Sequence, residues 1–413
     1  MKPEIKKIKD SQIEITDQVS SEDFEKYKDQ AILFLSKDLD IKGFRRGAVP
    51  KDIAKNHLSQ DKVLTEARRL AIQKSYFNIL KENNFDPLGE PEVEILNTPN
   101  SSQLEFRIKV AVMPEVWLPD YKNIASKVQR KKAEVQNDDV EKALKYLQRS
   151  RASFSLKEGA CQRGDFVEIE YSSPNVYGGK LIKDEFFLGE GKLLEGIEES
   201  IEGMKAGENK EIKAKGKDMV LKLRMLSVKK AVFPQVNDEF AKSLGSFESL
   251  ANLEKNIREG LSAEKESEES QRVRTKILSE ISDQTKVEIP SILVKEEQGR
   301  MLASLKDRVK NVFGAEFEEY LKQVKKSEED LLADFSSSAN SRVKNFLILR
   351  EIEKKENIVI TQEEINEEAN KILKSYSSVG QAKKNIDEKA LKEYSAEILK
   401  QEKTLAMLES FAK

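Results

Sequence analysis

The spacing of apolar positions changes repeatedly along the chain, and each change predicts a different kind of element. Near the start Ile13 and Ile15 alternate with polar neighbours, the period-two pattern of a strand with one buried face. After Ser20, which with Asp23 resembles a capping box, Phe24, Tyr27, Ala31, Phe34 and Leu35 recur at helical spacing and predict a helix that stops near Gly43. Residues 43–50 read Gly-Phe-Arg-Arg-Gly-Ala-Val-Pro. Two glycines and a proline around two arginines predict an exposed loop, with Pro50 in the first turn of the next helix. A helix from about Asp61 to Asn83 turns Val63, Ala67, Leu70, Phe77 and Leu80 inward. Strands follow at 92–96 and 103–112, the second alternating Leu104, Phe106, Ile108, Val110 and Val112. Residues 1–114 thus predict a compact α+β unit.

Residues 115–160 read as a connector. Ile124 and Val128 suggest an extended piece, and Asn137 with Asp138 caps a helix carrying Val140, Ala143, Leu144 and Leu147. Over 161–230 glycines cluster between strand-like runs at 166–171, 208–215 and 219–228, predicting a small β-rich domain with tight turns. From 231 to 413 the pattern is helical, with runs near 237–244, 249–285, 290–313, 327–356, 361–377 and 387–411; Thr361 and Glu364 form a capping box, and Pro290 fits a first turn. Several of these runs carry narrow apolar stripes beside long charged faces, as in 262–272, which suits either extended arms or an ordinary bundle. The fold class expected is multidomain α+β with an extended all-helical C-terminal part.

Composition narrows the chemistry. Charged residues make up 35% of the 413, too many for one large core and in keeping with long solvated helices. The net charge of −2 argues against a general nucleic-acid binder, so any RNA contact needs a local patch. One cysteine, Cys161, and one histidine, His57, allow no internal disulfide and argue against a zinc site; a Ser-His-Asp triad could only use His57, and no G-x-S-x-G turn is present. There is no G-x-x-x-x-G-K-[ST] loop, so nucleotide-driven cycling is not expected, and no cofactor is assigned. With no signal or membrane-spanning pattern, a soluble cytoplasmic protein is expected.

Three segments, in order, resemble the bacterial trigger factor family. Gly43-Phe44-Arg45-Arg46-Gly47-Ala48-Val49-Pro50 matches its G-F-R-x-G-x-x-P signature, with Asp86-Pro87-Leu88-Gly89-Glu90-Pro91 downstream. Leu188-Gly189-Glu190-Gly191, Glu195-Gly196-Ile197-Glu198 and Gly203-Met204-Lys205-Ala206-Gly207-Glu208 are similar to an FKBP-type prolyl isomerase. Asp238 to Gly245 and Val287-Glu288-Ile289-Pro290 resemble landmarks of the helical C-terminal part.

The resemblance implies a chaperone that docks beside the ribosomal exit tunnel, on a large-subunit protein and adjoining RNA, and shields nascent and unfolded polypeptides without ATP. It implies no membrane partner and leaves open a homodimer of the free protein. Gly43, Phe44, Arg45, Arg46, Gly47 and Pro50 would form the ribosome contact. Between Asp40 and Lys55 five basic side chains face two acidic ones, and Phe44 offers an aromatic anchor. A solvated turn with Phe44 folded inward is the alternative. In the FKBP-like segment Tyr171, Phe186, Leu193, Leu194, Ile197 and Leu221 would be a remnant proline pocket. Ile197 stands where the family has its floor aromatic, Asp184 replaces a wall aromatic, and the Phe-Pro and Tyr segment is missing, so weak or absent isomerase activity is expected. Client contacts, or equally core packing, are assigned to Met301, Leu305, Phe313, Phe317, Phe346, Leu349, Met407 and Phe411.

Overall fold

The computed structural model describes residues 3–41, 44–45, 49–96, 103–173, 181–191, 196–213, 220–314, 316–374 and 387–413, apart from the side chains at 312 and 313. These form two compact units, Met1–Arg130 with Arg272–Lys413, and Lys131–Gln271. The architecture is mixed, with two antiparallel sheets and a helical C-terminal region, the fold class the residue pattern predicts.

In the first unit, strands β1 (Glu4–Ile8), β2 (Gln12–Val19), β3 (Pro87–Ile95) and β4 (Leu104–Val112) form a sheet in the order β1-β2-β4-β3. Leu104, Phe106, Ile108, Val110 and Val112 all point into a core closed by helices α1 (Ser21–Ser36) and α3 (Gln60–Asn83), through Phe24, Ala31, Ala67, Ala71 and Ile79. Each fully buried Leu, Ile or Phe side chain among these stabilises the fold by roughly 1.5–3 kcal/mol. The Ser20 hydroxyl accepts from the Asp23 amide at 3.2 Å, as the capping pattern predicts. Helix α1 ends at Ser36, however, well before Gly43. The amides of Lys37, Asp38 and Leu39 bond back to carbonyls three residues earlier at 3.3 Å, tightening the chain into turns. Leu39 and Ile41 then leave the helical period to pack with Ile32, Val49 and Ala54 of α2 (Lys51–His57). Strand β3 starts earlier than 92 because its register with β4 shifts between Leu88 and Glu92, a break that spacing alone does not disclose.

The stretch around Ile124 is helical rather than extended: α4 spans Tyr121–Ser126. The Asp120 carboxylate accepts from the Asn123 amide at 3.1 Å, and this cap overrides the weak β-like pattern. Ile124 and Ala125 enter a core with Val273, Ile277 and Ile281 of α8 (Leu250–Gln284), Ile348 and Ile352 of α11 (Glu328–Glu356), and Leu408 of α13 (Glu388–Ser410). Helix α9 (Ser291–Phe313) lies against α11 and is followed by α10 (Phe317–Val324). Helix α12 (Gln362–Lys374) pairs with α13 around Ala369, Leu373 and Leu391. The α+β part joins the helices through Leu88 and Met113 against Leu293, Val343 and Leu347, and through an Arg350–Asp86 ion pair of 2.5 Å.

The second unit holds α5 (Asn137–Ser150), α6 (Ile197–Ile201), α7 (Asp238–Leu244) and a sheet of β5 (Ser153–Leu156), β6 (Phe166–Ser172), β7 (Ile182–Phe187), β8 (Asn209–Lys213) and β9 (Val220–Val232). Strand order is β5-β9-β6-β7, with β8 also on β9.

Candidate functional site

The loop before α2 is held from both sides. Ile41 packs below it and accepts the Phe44 amide at 3.1 Å, while Val49 is buried and Pro50 caps α2. Between these anchors Phe44 is 36% exposed and Arg45 is exposed, with no ion pair to a described residue. Gly43, Arg46 and Gly47 lie outside the described residues. Nearby on α1, Leu33 and Phe34 are also exposed, and the cations of Lys37 and Arg69 lie 5.9 and 5.7 Å from the Phe34 ring. Lys51 is tied to Asp29 at 2.6 Å. His57 caps its own helix through Nδ1 and the Ile53 carbonyl, 3.0 Å apart. Phe44 and Arg45 thus offer an accessible ring and an accessible guanidinium, able to bury against a partner and to meet phosphate or carboxylate.

In the second unit Phe186, Ile197 and Leu221 are all buried in one cluster with Val167, Ile169, Ile201 and Met225, and Tyr171 packs against it half-buried. Leu193 and Leu194 lie outside the described residues. Cys161 sits in the same cluster. Its thiol donates to the Ile201 carbonyl at 3.0 Å, and burial pushes the thiol pKa up, which disfavours the nucleophilic thiolate. The opposite face of this sheet carries a feature that motif reading passes over. Phe154, Phe166 and Phe187 meet at centroid distances of 4.5–6.1 Å, and Phe233 lies 5.8 Å from Phe187. The signal was available in the strand parity of 154, 166 and 187, once their pairing is known.

The helical residues divide by environment. Leu349 is buried in the main helical core, with Met407 and Phe411 packed at its margin, and Phe346 packs with Leu293 and Leu347. Met301, Leu305 and Phe317 are half-buried on α9 and α10; the side chain of Phe313 lies outside the described residues. Phe317 stacks with Tyr320 at 5.8 Å, beneath Lys306, and no residue of α10 is buried. Among the described residues no cluster of His, Cys, Asp or Glu could hold a metal, and no helix is long and apolar enough to cross a membrane.

Residues 1–147 match the family model described as bacterial trigger factor protein (TF), and residues 249–409 match its C-terminus. The trigger factor of Geobacillus thermodenitrificans is 30% identical over 380 residues, covering 88% of each chain. That of Clostridium kluyveri is 27% identical over 394 residues, covering 92% of this chain and 91% of its own. A solved structure concerned with promiscuous substrate recognition in folding and assembly by the trigger factor chaperone aligns over 98% of this chain and 99% of its own, at a TM-score of 0.51 and 21% identity, and shares the fold. This chain belongs to the trigger factor family.

Proposed function

We propose that this chaperone docks at the exit tunnel of the large ribosomal subunit through Phe44, Arg45 and the loop around them, and shields nascent polypeptides there without ATP. Family membership supplies the chaperone role and its nascent-chain clients. The observation that carries the docking reading is the exposure of Phe44 and Arg45 between two packed anchors, Ile41 against buried Ile32 on one side and buried Val49 on the other. Gly43, Arg46, Gly47 and Pro50 complete the contact by their place in the signature. Charged contacts to RNA make the interaction salt-sensitive. The half-buried residues of α9 and α10, Met301, Leu305 and Phe317, suit client contact better than Leu349, whose side chain the core occupies. Docking at ribosomes puts its work in the cytoplasm, and the buried, unpaired Cys161 needs no oxidising compartment.

The same reading gives the second unit little or no isomerase activity. A proline ring needs an open apolar pocket, whereas Phe186, Ile197 and Leu221 are spent on packing against one another's neighbours. The docking test is cosedimentation with large subunits at low and high salt. The wild type should pellet with subunits and dissociate as salt rises. The Phe44→Ala, Arg45→Ala, Arg46→Ala variant should stay in the supernatant with an unchanged circular dichroism spectrum. A variant that pellets like the wild type refutes the reading.

A further inference from the structure

The sheet of the first unit has a margin that no other described strand pairs. Strand β3 lies at one edge and is paired on one side only, with β4. The ladder is anchored at both ends. The Leu96 amide donates to the Glu105 carbonyl and the Met113 amide to the Asp86 carbonyl, each at 2.9 Å. Val93 stands opposite Ile108 and Ile95 opposite Phe106. In an antiparallel ladder, bonded and non-bonded pairs alternate. Glu92, Glu94 and Leu96 therefore turn their amides and carbonyls toward β4, and Val93 and Ile95 turn theirs outward from the sheet. The other side of β4 agrees: the Val112 amide donates to the Ser11 carbonyl at 2.9 Å, so the even-numbered residues of β4 bond β2 and the odd-numbered ones bond β3.

The first half of this edge is closed. Its register shifts between Leu88 and Glu92, Gly89 has a φ of +71°, and Pro91 has no N–H to offer. Helix α9 covers it through Ile292, whose side chain would meet any Cβ placed on Gly89. From Glu92 to Leu96 none of these devices operates, and no lysine or proline guards the strand. The same two residues that present free backbone groups also present apolar side chains: Val93 is 46% and Ile95 40% exposed, on the core-side face. The opposite face of the margin is acidic, with exposed Glu92 and Glu94; Glu94 is 3.1 Å from Arg107, which also neighbours Glu14.

We propose that Glu92–Leu96 accepts an extended segment of unfolded polypeptide as a fifth strand, one whose residues alternate between apolar and basic. Two donors and two acceptors on Val93 and Ile95 supply main-chain hydrogen bonds that read no sequence. Apolar residues of the guest lie beside Val93 and Ile95, and basic ones beside Glu92 and Glu94. Such a contact suits a chaperone, because it engages any chain that has not yet formed its own secondary structure and ends when that chain pairs its own amides. A second copy of this protein fits the margin badly. Pairing β3 with β3 sets Glu92 and Glu94 against the same carboxylates. The inference rests on the chaperone reading above, since it names a client contact for that activity.

The test follows amide hydrogen exchange by NMR in the full chain, with an eight-residue peptide of alternating valine and lysine. Controls are the same peptide with every amide nitrogen methylated, and a valine–glutamate peptide. At saturation the valine–lysine peptide should slow exchange at Val93 and Ile95 at least about tenfold, with little change at Glu92 and Glu94, whose amides are already paired. The methylated and acidic peptides should give no protection. Val93→Pro removes an outward N–H without touching the β3–β4 ladder and should weaken peptide binding about tenfold. Unchanged exchange at Val93 and Ile95 overturns the proposal, as does equal binding of the methylated peptide. Protection that rises with protein concentration alone would assign the edge to a second copy and also overturn it. Suppression of aggregation of a denatured client, run in parallel, separates the two readings. Suppression without edge protection sinks the strand proposal and leaves the chaperone role standing; loss of both sinks both.

Discussion

Helix α9 begins at Ser291, and its N-cap residue, Pro290, has a side chain that cannot hydrogen-bond the first free amides. The cap comes instead from the turn between β1 and β2. Asp10 Oδ1 accepts from the Ser291 amide at 2.6 Å and Oδ2 from the Ser291 hydroxyl, while the Asp10 amide donates to Glu288 Oε1 at 2.6 Å and the Ser11 hydroxyl to the Glu288 carbonyl at 2.7 Å. Asp10 adopts a φ of +67°, which aspartate tolerates better than alanine. Replacing Asp10 with alanine removes a cap worth about 1 kcal/mol, a favourable charge at a helix N-terminus worth about 0.3–1 kcal/mol, and adds left-handed strain of about 1 kcal/mol. The predicted loss is therefore about 2–3 kcal/mol. Asp10→Asn keeps the short acceptor and the tolerated φ and should lose less than about 1 kcal/mol. Asp10→Gly relieves the strain and should fall between them. Urea unfolding can be read from Trp117, the only tryptophan, which is 69% exposed and whose backbone bridges to Lys286 close to this contact. Equal midpoints for Asp10→Ala and the wild type would refute the assignment of Asp10 as the cap of α9.

Other expectations follow from single environments. Ile277 is fully buried among α4, α11 and α13, so Ile277→Ala should cost about 2–5 kcal/mol in the same urea assay, and a cost below about 1 kcal/mol would contradict the core assignment. The Lys403 ammonium, with the Thr361 amide, holds the Glu364 carboxyl at about 2, below its usual 4.5. Its contribution to the pairing of α12 with α13 is thus present above pH 4.5 and is lost as pH falls toward about 2. An NMR titration midpoint near 4.5 would contradict that. A proline-containing tetrapeptide should be isomerised weakly or not at all, and turnover comparable with an intact FKBP-type domain would overturn the packed-pocket reading.

Much of the fold could be read from side-chain spacing because burial imposes it. The alternation in β4 and the helical runs after residue 238 are matched by buried faces in the structure. The failures have local causes. The end of α1 is set by turns after Ser36 that carry no strong breaker residue, and α4 is set by one cap, Asp120. Helix α10 has no buried face to mark it in the residue pattern, since its eight residues bury nothing. The joining of residues 1–130 with 272–413 in one unit depends on contacts such as Asp10–Ser291 and Asp86–Arg350, between residues more than 260 positions apart, which no local pattern records. The candidate docking residues were visible as a motif, whereas the free margin at Val93 and Ile95 needed the strand order and the phase of the ladder.

The docking claim is tested most directly with stalled ribosomes carrying a nascent chain and a photoreactive benzoyl-phenylalanine in place of Phe44. Docking through this loop predicts a crosslink from position 44 to a large-subunit component, lost when Arg45 and Arg46 are both alanine. A crosslink that forms only within the chaperone itself, with nascent chains still captured, would mean that recruitment runs through some other surface.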